Sequence, residues 1–71
     1  MTFDNLERAL CGFTRRKPFR PFFIEFFTGE RLLVKHPEGA RIENQLVTFI
    51  SPNKKYRLFD CESVCQLLDV E

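Results

Sequence analysis

The sequence predicts a mainly β, α+β domain: one short N-terminal helix followed by a small, strongly bent five-stranded antiparallel barrel. Three observations predict it. Apolar residues fall at helical spacing only near the N-terminus, as Phe3, Leu6, Leu10 and Phe13. From Phe22 onward, short runs of β-branched and aromatic residues alternate with turn formers. Nine Phe and no Trp in 71 residues supply apolar burial without polar atoms to satisfy. A chain this short hides only about 60% of its unfolded surface, so it depends on that aromatic density.

The spacing predicts a helix over about 3–12. Thr2 suits the cap, Asp4 and Glu7 suit the positive end of the helix dipole, and Gly12 is a natural stop. So short a helix is not stable alone and must lie on something. Thr14 to Pro21 carries two prolines, each restricting its predecessor, and reads as an extended connector over 14–21. The barrel is expected over 22–70, and 1–71 forms a single domain.

The first strand spans Phe22 to Phe27 and the second returns from Arg31 to Lys35. To share a face, Phe26 is expected opposite Leu32 and Ile24 opposite Val34, with Thr28-Gly29-Glu30 as a three-residue loop carrying a glycine bulge. His36-Pro37-Glu38-Gly39 is a bend, after which Ala40 to Glu43 continues the second strand. Asn44-Gln45 starts a turn and Leu46 to Ile50 is the third strand. Its inward set is either Val47 and Phe49 or Leu46, Thr48 and Ile50. Pro52-Asn53-Lys54 is a turn, and Tyr56 to Phe59 is the fourth strand, with Tyr56 and Leu58 expected inward. Asp60 to Ser63 reads as a tight helical turn, and Val64 to Val70 as the last strand. Short connections favour an antiparallel meander that closes on itself and removes its edges.

Arg20-Pro21-Phe22-Phe23-Ile24, Gly29 and Val34-Lys35-His36-Pro37-Glu38 together resemble a group of short uncharacterised bacterial proteins, plentiful in planctomycetes. That resemblance spans nearly the whole chain and implies no function. Phe23 and Phe27 depart from its pattern, in which polar side chains are common. The order of helix, five strands and a one-turn step before the last strand is similar to Sm-like and SH3-like barrels. The Sm-like resemblance implies RNA binding by a homo-oligomer, although the RNA-contacting motifs of that family are not recognisable here. Arg16 and Arg20 have the spacing seen in cyclic-dinucleotide receptors of the PilZ type, but the accompanying Asp/Asn-x-Ser-x-x-Gly pattern is missing.

Composition narrows the function classes. A net charge of +1, from 11 basic and 10 acidic residues, gives no overall field to gather nucleic acid or an anionic membrane. The longest apolar stretch, Phe22 to Phe27, is interrupted by Glu25 and is far short of the roughly 20 residues of a membrane span. The opening Met1-Thr2-Phe3-Asp4 lacks the pattern of a secretion signal, and Cys11, Cys61 and Cys65 read as free thiols of a reducing, cytoplasmic setting. No metal or cofactor is expected. His36, the only histidine, precedes a proline and has no nucleophile or carboxylate placed beside it by local spacing, so the chain is not expected to be an enzyme.

Two candidate surfaces follow. Phe23, Phe27 and Leu33 lie on the nominally outer face of the first hairpin, too many large apolar groups for a solvated sheet. They predict either cover by the helix or a protein interface, with the chain itself or another protein as partner. Arg15, Arg16, Lys17 and Arg20 with Phe19 between them are the strongest local charge feature. They are the candidate nucleic-acid contact, with RNA as the alternative partner. The expected function is a small non-enzymatic module that self-associates or binds protein.

Overall fold

The computed structural model describes residues 1–51 and 53–70. Helix α1 spans Phe3–Thr14. The strands are β1 (Phe22–Phe26), β2 (Arg31–Val34), β3 (Ala40–Glu43), β4 (Leu46–Ile50), β5 (Tyr56–Asp60) and β6 (Val64–Asp69). They form two three-stranded antiparallel sheets, ordered β2-β1-β6 and β3-β4-β5. The mainly β class with an N-terminal helix is therefore as expected, but the closed five-stranded barrel is not found. Two short 3₁₀ turns cause the difference. Pro37–Gly39 ends the second predicted strand and restarts it as β3 in the other sheet. Cys61–Ser63, at the predicted helical turn, redirects the chain so that β6 pairs with β1 rather than with β5. At the first turn Pro37 has no amide to give a ladder. Gly39 lets the backbone pass close to the core, since a Cβ there would lie 3.2 Å from a methyl of Val34.

The helix begins as expected, with the Thr2 hydroxyl accepting from the Asn5 amide at 3.2 Å. It does not stop at Gly12. Phe13 packs at a tilt against Phe22 with ring centroids 4.9 Å apart, and the Thr14 hydroxyl donates to the Leu10 carbonyl at 2.9 Å. A tertiary contact thus holds a last turn that the glycine alone would release. The amino group of Met1 donates to the carbonyls of Cys61 and Val64, tying the helix start to the second 3₁₀ turn.

One face of each sheet lines a single core. Phe22, Ile24 and Phe26 of β1 are buried in strict alternation, together with Val34, Ala40, Val47, Phe49 and Val64. Leu6 and Leu10 close this core from the helix side. The first hairpin keeps the expected faces but slips by one pair: Phe22 opposes Val34 and Ile24 opposes Leu32. Gly29 selects this register. The Phe26 amide donates to the Glu30 carbonyl at 2.8 Å, so the three loop residues are Phe27, Thr28 and Gly29. The last position of such a loop needs a left-handed backbone, and Gly29 has φ of 94°. The expected loop would have forced Glu30 into that conformation. Asn44 and Gln45, with φ of 50° and 68°, make the two-residue turn between β3 and β4.

In β4 the buried pair is Val47 and Phe49. β5 reverses the expectation. Tyr56 and Leu58 face out, while Phe59 packs its ring edge-on against Phe26 at 4.8 Å. Arg57 reaches across to the Glu30 carboxylate with bonds of 2.6 and 2.8 Å, its guanidinium 5.2 Å from the Phe26 ring centre. An arginine between two large apolar residues signals an outward position. Here it shares the parity of Phe59 yet stays exposed at the rim, where the β1–β2 hairpin tip offers it both an anion and an aromatic face. The turn before β5 closes through Ser51 and Lys55, and the expected Pro52 of that turn lies outside the described residues.

Candidate functional site

The predicted apolar patch is divided. Phe23 and Leu33 are cross-strand neighbours on the outer face of the first sheet, with Leu68 of β6 on the other side of Phe23. All three are half-buried. The helix does not cover them, since Leu6 and Leu10 are in the core beneath the opposite face. A polar row dresses this face instead. Arg31 Nε donates to Glu25 at 2.8 Å, Gln66 donates to the other Glu25 oxygen at 2.8 Å, and the Arg31 guanidinium lies 5.9 Å from the Phe23 ring centre. The Gln66 hydrogen bond and then the Arg31 pair hold the Glu25 carboxyl below its ordinary range. Phe27 does not join Phe23. It sits at the hairpin tip, 70% exposed, beside a recess bordered by Phe26, Arg57 and Phe59.

The predicted basic connector is also divided. Arg16 is committed to the fold: it pairs with Asp69, donates to the Arg20 carbonyl at 2.9 Å and stacks 4.6 Å over the Phe13 ring. Only its Nε lacks a partner among the described residues. Phe19 meets Phe22 edge-on at 6.2 Å and packs against the core, so its ring is not offered to a base. Arg15, Lys17 and Arg20 remain exposed.

The larger exposed apolar surface is on the second sheet. Tyr56 and Leu58 are 73% and 64% exposed, and on the same outer face Leu46 is 37% exposed, with Thr48 and Ile50 half-buried between them. Among the described residues β5 is hydrogen-bonded to β4 on one side only. An uncovered apolar face thus adjoins an unpaired strand edge. A shallow groove of about 260 Å³ runs from Ile50 to Leu33 and links this face with that of the first sheet. His36, Glu38 and Ser51 also border the groove. Sequence spacing did not bring them together. No hydrogen bond joins them among the described residues, and the Ser51 hydroxyl accepts from the Lys55 amide at 3.2 Å. A nucleophile needs its base within hydrogen-bond reach, and this arrangement does not provide it.

Sequence reasoning missed Tyr56 and Leu58 because alternation within β5 fits either face. The usable signal was pairing. Once Val47 and Phe49 are inward, a tight return from β4 places Phe59 and Arg57 opposite them. Among the described residues no helix is long and apolar enough to cross a membrane. Compared with family models, curated proteins and solved structures, the chain matches none of them.

Proposed function

We propose that this protein is a small non-catalytic association module that works through the outer face and open edge of the second sheet. The observation that carries this reading is the exposure of Tyr56 and Leu58 on an uncovered face beside a strand bonded on one side only. Tyrosine is enriched at protein contact surfaces, whose buried centre is more apolar than the surrounding surface. An unpaired edge supplies main-chain hydrogen bonds to an incoming strand. Leu33 extends the surface through the groove it shares with Ile50. Three unpaired, half-buried thiols suit a reducing compartment such as the cytoplasm.

Nucleic-acid binding has less support, since Arg16 and Phe19 are withdrawn into the fold. Sedimentation velocity over a range of concentrations tests the association reading. Self-association that Leu58→Lys abolishes, in a protein that still folds, is the expected result. A strict monomer at millimolar concentration overturns it.

A further inference from the structure

We propose that two copies of the chain pair through their β5 edges, antiparallel, about a two-fold axis at Leu58. This rests on the association reading above and names its partner as a second copy.

Hydrogen-bond parity is the first support. The Ser51 amide donates to the Lys55 carbonyl at 2.9 Å, which makes Ser51 and Lys55 a hydrogen-bonded pair at the start of the β4–β5 ladder. Bonded and non-bonded pairs alternate along an antiparallel ladder. With Phe49 opposite Arg57 and Val47 opposite Phe59, these β5 residues turn their backbone groups toward β4. Tyr56, Leu58 and Asp60 turn theirs toward the unpaired edge. With the axis at Leu58, that residue faces its own copy, and Tyr56 faces Asp60 of the second copy. Every residue with outward backbone groups then meets another. The Asp60 carbonyl accepts from the Ser63 hydroxyl at 2.7 Å and keeps a second lone pair for this bond.

Side chains and charge select the same register. Tyr56 and Leu58 of both copies join as one apolar strip across the axis, where diagonal neighbours touch. β5 is preceded by Lys54 and Lys55 and ends at Asp60, with Glu62 just beyond, and all four are exposed. About Leu58, the basic end of each strand, at Lys54 and Lys55, runs alongside the acidic end of the other, at Asp60 and Glu62. Moving the axis to Tyr56 would set Lys55 against Arg57. Moving it to Asp60 would set that carboxylate against itself. Like charges directly opposite are destabilising, so the charges disfavour both of these registers, and only the axis at Leu58 pairs all three of Tyr56, Leu58 and Asp60 within the strand. Such an interface is isologous and closes at two copies.

Paired charge reversal tests this. Lys54→Glu/Lys55→Glu and Asp60→Lys/Glu62→Lys are each expected to weaken dimerisation by about tenfold or more in sedimentation equilibrium at low salt. An equimolar mixture of the two variants is expected to recover it, because each reversed end meets the other variant's reversed end. Circular dichroism melts check that both variants fold. As a second probe, Leu58→Lys is expected to give monomers that the mixture does not rescue. A wild-type dimer indifferent to both reversals overturns the edge pairing and leaves the association reading standing. Two monomeric variants that stay apart on mixing overturn the two-fold register. A strictly monomeric wild type overturns both readings.

Discussion

The two sheets treat outward-facing apolar residues differently. On the first, Phe23, Leu33 and Leu68 are half-buried beside a row in which Arg31 and Gln66 converge on Glu25. On the second, Tyr56 and Leu58 stand on an edge strand with no such row over them. β1 has a neighbour on each side and collects cross-strand cover from both, whereas β5 has one neighbour. The contrast teaches that an outer-face apolar residue stays half-buried where neighbouring side chains lie against it and stands exposed where they do not.

The sheets can be set against each other experimentally. Phe22→Ala removes a ring that is fully buried and touched by Phe13 and Phe19. It is expected to cost about 3–5 kcal/mol, enough to unfold much of so small a domain, as urea denaturation would read. If it costs under about 1 kcal/mol, the common core beneath both sheets is wrongly assigned.

The next effect is a difference between the outer faces. Phe23→Ser is expected to cost about 1–2 kcal/mol, because it removes a half-buried ring from cross-strand contact. Leu58→Ser, measured in dilute monomer, is expected within about 0.5 kcal/mol of wild type. Equal losses at the two positions would erase the contrast between the sheets.

The smallest effect is acid sensitivity, and it belongs to charged groups on the first hairpin. Hydrogen bonds from Gln66 and Arg31 lower the Glu25 carboxyl, and a hydrogen bond from Arg57 lowers Glu30. Their contribution is full above the ordinary carboxylate range near 4.5 and fades as pH falls through their lowered values. The double variant Glu25→Gln/Glu30→Gln is expected to lose part of the drop in melting temperature between pH 5 and pH 3. An unchanged pH profile would show that these carboxylates are not held in solution.

Much of the fold was legible because local chemistry and tertiary need agreed. The capped helix, the alternation of Phe22, Ile24 and Phe26, and the turn at Cys61–Ser63 are written in side-chain type and spacing. The candidate site was less legible. Arg16 and Phe19 looked like a free basic, aromatic arm, yet Asp69 and Phe22, far along the chain, claim them. Phe27 shared parity with Phe23, but Gly29 moved it from the sheet into the loop.

Residue order alone determined which segments are helix and strand and which face of the first hairpin is apolar, because period and turn chemistry act over a few neighbours. Only tertiary structure decided that β6 returns to β1, that Arg57 reaches across to Glu30, and that Tyr56 and Leu58 are left outside. Those outcomes depend on which strands become neighbours, and neighbours far apart in the chain leave no periodic trace in either segment.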